Sequence, residues 1–156
     1  MKILMVCLGN ICRSPMADGL LRKKVKDNNL DVEVDSAGTG GWHAGESPDP
    51  RMQKTAAKNG VPIHELVARQ FQVSDFDTFD RIYVMDRSNY TNVLKLARND
   101  KDKEKVDLLL NLSFPGEDRE VPDPYFGGQD GFQEVFEMLD DATTILINEL
   151  EENGNR

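Results

Sequence analysis

The sequence predicts an α/β protein, a single domain with a four-stranded parallel sheet and helices on both faces. Three observations point there. Short apolar runs alternate with longer segments of helical periodicity along the whole chain. Strands separated by helices pair in parallel and are covered on both sides. The 156 residues carry no repeat, linker or low-complexity tract, and that length suits one domain with its own core.

The elements follow in order. Lys2 to Val6 is a strand made of the run Ile3, Leu4, Met5 and Val6. Ser14 to Asp27 reads as a helix, with Ser14 as N-cap and Pro15 as its first residue. Met16, Leu20, Leu21 and Val25 share one side of it, and Arg22, Lys23, Lys24 and Lys26 lie outside. Asp31 to Ser36 alternates through Val32 and Val34 like a strand. A glycine-rich loop from Ala37 to Glu46 carries the lone tryptophan, Trp42. Ser47-Pro48-Asp49 repeats the cap-and-proline signal, and Gly60 stops the helix that follows. Arg81 to Met85 is a third strand with Asp86 at its carboxyl end, then a helix runs from about Ser88 to Arg98. Val106 to Leu110 is the fourth strand. Phe132, Val135, Phe136, Leu139, Ala142, Leu146 and Leu150 mark a long amphipathic C-terminal helix.

Composition narrows the function. A net charge of −9 and a pI near 4.7 argue against nucleic acid as a partner, because phosphate backbones are bound by clustered cations. No apolar run approaches the roughly 18 residues of a membrane span, so no membrane insertion is expected. The first strand leads straight into a loop, with no long apolar leader, and the expected location is cytoplasmic. Cys7 and Cys12 are the only cysteines and share one loop, unlike a disulfide framework that staples distant segments. His43 and His64 have no ligand spacing around that pair, so no metal or other cofactor is expected. Both histidines read as ordinary loop residues, His43 exposed.

The most informative stretch is Cys7-Leu8-Gly9-Asn10-Ile11-Cys12-Arg13-Ser14, between the first strand and the first helix. Gly9 and Asn10 tolerate left-handed backbone angles, so the loop can turn tightly. Backbone N–H groups in such a loop converge on one point at the positive end of a helix dipole. A dianionic phosphate fits that point, and a thiol facing it favours its nucleophilic thiolate form. Arg13 adds a planar, permanent charge able to hold two phosphate oxygens at once. Sites in parallel sheets sit at the carboxyl ends of strands, where Cys7, Ser36 and Asp86 all fall.

This loop and Pro15, taken with Asp123-Pro124-Tyr125 late in the chain, resemble the low-molecular-weight protein tyrosine phosphatase family. The resemblance runs through nearly the whole chain: Asp35-Ser36-Ala37-Gly38-Thr39, Asp49-Pro50-Arg51, Ala68-Arg69-Gln70 and Met85-Asp86-Arg87-Ser88-Asn89 match as well. It implies one phosphatase domain over residues 1–156, with Cys7 as nucleophile, Arg13 as phosphate clamp and Asp123 as proton donor. Leu8, Gly9, Asn10, Ile11, Cys12 and Ser14 complete the phosphate-binding loop. Further implications are a hydrogen bond from Ser14 to the Cys7 sulfur, support of Asn10 by Ser36, and a bond from Asp86 to the loop or to Arg13. Ile11, Trp42, Tyr125 and Phe126 are expected at the rim, as apolar and aromatic walls for a phosphotyrosine ring. Implied partners are tyrosine-phosphorylated proteins and a tyrosine kinase in the same pathway. Cys12, five residues from the nucleophile, is expected to trap an oxidised Cys7 as a reducible disulfide.

Two positions depart from the family pattern. Phe126 stands where relatives often carry a second tyrosine, and it has no hydroxyl to phosphorylate. Leu66 stands where relatives often place a histidine, and it cannot supply that residue's hydrogen bond toward Asn10. Three rival functions share the motif. An arsenate reductase needs further cysteines, and none follows Cys12. Phosphoarginine phosphatases carry threonine where Ile11 stands. A non-catalytic phosphate-binding module would need neither the thiol nor the acid.

Overall fold

The opening apolar run folds as the central strand of the molecule. In the computed structural model, which describes residues 1–127 and 129–154 with the side chains of Phe126 and Gln129 excepted, β1 spans Lys2–Cys7. The remaining elements are α1 (Arg13–Asp27), β2 (Glu33–Gly38), α2 (Pro50–Lys58), α3 (Asp75–Thr78), β3 (Arg81–Val84), α4 (Arg87–Leu94), α5 (Asp100–Glu104), β4 (Val106–Leu108) and α6 (Gln129–Glu152). Single 3₁₀ turns lie at Leu109–Asn111 and Pro124–Phe126. The four strands are all parallel, in the order β2-β1-β3-β4. The chain first moves from β1 to one side, then crosses to the other. The crevice of such a sheet opens between β1 and β3, at their carboxyl ends.

Helices cover both faces, and β1 shows why. Its side chains alternate, so Ile3, Met5 and Cys7 join one core while Leu4 and Val6 join the other. The first core is closed by α1, α2 and α6 through Met16, Leu20, Leu21, Met52, Phe132, Val135 and Leu139. The second contains Phe71, Phe76, Phe79, Ile82, Val84 and Val93 around α3 and α4. Ile3 to Val6 are wholly buried, which explains their unbroken apolar run.

Several boundaries differ from the sequence expectation. The first helix begins at Arg13 with Cys12 as its cap, whose side chain makes no capping hydrogen bond among the described residues. Ser14 is therefore inside the helix, its hydroxyl directed into the site. The cap of α2 is Asp49 with Pro50 behind it, not Ser47 with Pro48; Asp49 accepts the Arg51 N–H at 2.8 Å. The second strand lies two residues later than its valines indicate, because Ala37 and Gly38 pair with Val6 and Cys7. The third strand stops at Val84, and α4 covers Arg87–Leu94. The fourth strand stops at Leu108, where the chain tightens into a 3₁₀ turn. Lys24 is not an outer residue. Its ammonium reaches Asp140 Oδ1 at 2.6 Å and Thr143 Oγ1 at 2.7 Å, tying α1 to α6. Among the described residues no helix is long and apolar enough to cross a membrane.

Candidate active site

The loop from Leu8 to Cys12 leaves β1 and turns at Asn10, which holds a left-handed φ of 57°. Asparagine tolerates that region better than most residues, and its amide is satisfied here. Its Nδ2 donates to Ser14 Oγ at 2.7 Å, and its Oδ1 accepts the Arg69 N–H at 3.0 Å. Ser14 Oγ in turn lies 3.0 Å from Cys7 Sγ and 3.3 Å from the Ala37 carbonyl. A chain of donors thus runs from the Arg69 backbone through Asn10 and Ser14 to the sulfur. With Cys7 ionised, sulfur is the acceptor that can take the serine proton.

This arrangement changes two sequence expectations. Ser36 is buried but does not hydrogen-bond Asn10 among the described residues; it lies against Asp18 of α1. Leu66 is half-buried beside the first core, and a backbone N–H supplies the support that a histidine side chain would have given. That N–H is itself anchored. The Arg69 side chain bonds Asp35 of β2 at 3.2 Å and Asp75 of α3 at 3.1 Å.

Arg13, at the first position of α1, is almost fully buried. Its Nη1 donates to Asp86 Oδ2 at 2.7 Å and to the Val121 carbonyl at 3.0 Å. Its Nη2 lies 3.6 Å from Asp123 Oδ2, too long for a hydrogen bond. Burial alone would lower the Arg13 pKa, but Cys7, Asp86 and Asp123 outweigh it and push the value up. The guanidinium is permanently charged and gripped on one edge. Asp86 can hold it because the carboxylate is itself fixed as the cap of α4, accepting the Asn89 N–H at 2.8 Å. Asp123 also caps a turn: its Oδ1 accepts the Tyr125 N–H at 3.0 Å.

Cys7, Arg13 and Asp123 line one cavity of about 150 Å³, together with Leu8, Gly9, Ile11, Cys12, Trp42, His43 and Tyr125. Cys7 and Cys12 are both free and buried. Burial pushes the Cys12 pKa far up, and the charges of Asp49, Cys7 and Asp123 add to it, against a smaller opposing effect of Arg51. Among the described residues, no backbone N–H from Gly9 to Cys12 donates to a protein acceptor. Buried backbone donors without partners are rare and make an anion site by themselves. Trp42 is 72% exposed and stands at the mouth beside the half-exposed Tyr125. Ile11 is buried in the wall. The Phe126 side chain lies outside the described residues.

Four residues contribute in ways the sequence reading did not foresee. His43 is half-buried in the cavity wall, its Nδ1 3.0 Å from Glu46 and its ring 6.5 Å from that of Tyr125. Its neighbour Trp42 was the available signal. Val121 contributes only a carbonyl, which no residue type announces. Asp49 and Arg51 look like a helix cap, yet the Asp49 N–H also bonds the Ile11 carbonyl at 2.8 Å. His64, by contrast, is an exposed loop residue.

Comparison with known proteins agrees with this geometry. The family model described as low molecular weight phosphotyrosine protein phosphatase matches residues 2–156. A low molecular weight protein-tyrosine-phosphatase of Streptomyces coelicolor is 45% identical, covering 94% of this chain and 91% of its own. A low molecular weight phosphotyrosine protein phosphatase of Schizosaccharomyces pombe is 42% identical, covering 96% of each chain. The crystal structure of a protein tyrosine phosphatase from Entamoeba histolytica superposes with a TM-score of 0.91 at 39% identity, covering 98% of each chain. A match over the full chain, together with a thiol, a clamped arginine and a carboxylate around one phosphate-sized cavity, shows that this protein belongs to the low molecular weight protein-tyrosine-phosphatase family.

Proposed function

We propose that the protein hydrolyses phosphotyrosine on cytoplasmic proteins through a cysteinyl-phosphate intermediate, reversing the action of a tyrosine kinase. The observation that carries this reading is the convergence of Cys7, Arg13 and Asp123 on one cavity. The Cys7 thiolate attacks phosphorus in line. Arg13 and the loop N–H groups take the charge on the equatorial oxygens, as oxyanion sites do. Tyrosine leaves as a phenolate of pKa near 10, a poor leaving group at neutral pH, so Asp123 donates the proton. The same carboxylate then deprotonates the water that attacks the phosphocysteine. Ser14 donates to the departing sulfur. Every charge that develops is met by this chain's own groups, so no metal is needed. Trp42, Tyr125 and Ile11 give the ring of a phosphotyrosine an apolar wall, which phosphoserine is too short to use.

The test is a panel of phosphotyrosine, phosphoserine and phosphoarginine peptides, with arsenate, assayed in chelator. Phosphotyrosine should lead, and Cys7→Ser should abolish turnover while phosphate still binds. Asp123→Asn should lower kcat/KM for phenyl phosphate on the order of 10²-fold, the usual scale of general-acid catalysis. A nitrophenyl ester, whose leaving group is more acidic, should lose less. Loss of all activity in chelator, or preference for phosphoarginine, would overturn the reading.

A further inference from the structure

We propose that Arg51 is a positioning residue for the proton donor, fixing Asp123 against the phosphate loop through the ring of Tyr125. The inference rests on the reading of Asp123 as the acid. Asp123 sits in an exposed loop and has two tethers among the described residues. One is the capped Tyr125 N–H at 3.0 Å, and the other is the charge of Arg13, 3.6 Å away. The first tether positions the carboxylate only if Tyr125 is itself fixed. Its ring is close to the Arg51 guanidinium, whose central carbon lies 5.3 Å from the ring centroid. The same guanidinium lies 4.8 Å from the ring of Phe132, a fully buried residue at the start of α6. One planar cation therefore contacts both an aromatic of the acid loop and an aromatic of the core, a geometry arginine favours.

The cation is held in turn. Asp49 takes it with both oxygens, from Nε at 3.1 Å and from Nη2 at 2.9 Å. Asp49 is buried, and its backbone N–H bonds the Ile11 carbonyl of the phosphate loop. A continuous path of contacts leads from Ile11 through Asp49, Arg51 and Tyr125 to Asp123. It spans the gap between the loop that binds phosphate and the loop that protonates the leaving group. Those loops are about 110 residues apart in sequence, and a shift of about 1 Å between them is enough to cost on the order of 10²-fold in rate.

The role has a signature. kcat/KM reports the steps through cleavage of the phosphate ester, and only a substrate with a basic leaving group needs the proton there. Arg51→Met should lower kcat/KM for phenyl phosphate roughly ten- to a hundredfold and for 4-nitrophenyl phosphate by no more than about threefold. Inhibition by inorganic phosphate should stay at the wild-type constant, since the phosphate loop is intact. Tyr125→Leu removes the ring but keeps the Asp49–Arg51 pair. It also removes part of the aryl wall, which both esters use alike, so the extra loss on phenyl phosphate over 4-nitrophenyl phosphate should match that of Arg51→Met, and it tests the path even if Arg51→Met fails to fold. The two changes together should discriminate between the esters no more than the larger one alone, because both break one path. Equal losses on the two esters, no loss, or weakened phosphate inhibition would overturn the proposal. Asp123→Asn serves as the control: if it is selective and Arg51→Met and Tyr125→Leu are not, this proposal alone fails. If Asp123→Asn is itself unselective, the acid assignment falls and this one with it.

Discussion

Arg13 reaches to both sides of its socket with one planar group, a span that the compact ammonium of a lysine lacks. Nη1 serves Asp86 and the Val121 carbonyl together, leaving the other edge toward the cavity. A single ammonium placed in that buried socket must choose between Asp86 and a phosphate. Arg13→Lys should therefore lose at least on the order of 10²-fold in kcat/KM, the scale seen on removing one oxyanion donor. Steady-state kinetics with 4-nitrophenyl phosphate would settle it, and a loss under about tenfold would assign phosphate binding to the loop amides. Cys12 poses a different question. Its raised pKa keeps it a neutral thiol at rest, which suits a buried position beside Asp49. On the reading that Cys12 protects the nucleophile, peroxide first converts Cys7 to a sulfenic acid. The Cys12 sulfur can then attack the sulfenic sulfur, forming the disulfide and releasing water. Cys12→Ser should keep much of the activity, yet recover far less than wild type when peroxide is followed by dithiothreitol. Equal recovery would leave Cys12 as a packing residue.

At the scale of elements, the site depends on how closely β2 approaches the phosphate loop. A Cβ built on Gly38 would lie 2.7 Å from the Leu8 carbonyl oxygen and 3.0 Å from the Gly9 carbonyl carbon. Both are backbone atoms and cannot swing away. Gly38→Ala should cost roughly 1–3 kcal/mol of stability as overpacking, measurable as a lower urea midpoint. Because the atoms that must move belong to the loop, kcat/KM should fall as well. An alanine variant with wild-type kinetics would mean that the loop relaxes freely. Legibility in the sequence also divides by element. β1, β3 and α6 were readable because burial imposes an unbroken run or a 3.6-residue period. The shift in β2 was not, since Ala37 and Gly38 carry no apolar signal and their place comes from pairing with β1. The short helices α3 and α5 were missed for a related reason. Asp75, Asp77 and Asp102 look like solvated acids, and nothing in their spacing announces that Arg69 and Arg98 pair with them in the fold. The loop motif was legible because its chemistry is local. The path through Asp49 and Arg51 joins segments far apart in sequence and appears only once they are folded together.

For the whole molecule, the response to acid separates a shared effect from local ones. The net charge of −9 shrinks as pH falls toward the pI near 4.7, relieving repulsion throughout the chain. Comparing single-carboxylate variants with wild type largely cancels that common contribution and leaves the local one. Asp102 is held by Arg98, with Nε 2.8 Å from Oδ2, and its pKa is lowered to about 2, chiefly by that hydrogen bond. A folded value below the unfolded one of about 3.9 gives stability that is present above the unfolded pKa. It is lost as pH falls toward the folded value. Asp18 has the opposite sign. Burial raises its pKa more than Arg22 and Ser36 lower it, and its Oδ2 has no hydrogen-bond partner among the described residues. Its folded form holds a proton that the unfolded chain has released, so its contribution falls as pH rises through the unfolded value. Asp102→Asn should thus be less stable than wild type near neutrality, with the gap closing progressively from about pH 5 down to about pH 2. Asp18→Asn should improve relative to wild type as pH rises from about 4. Urea midpoints measured across that range would decide it, because slopes of the same sign in both variants would contradict the opposed environments of the two carboxylates.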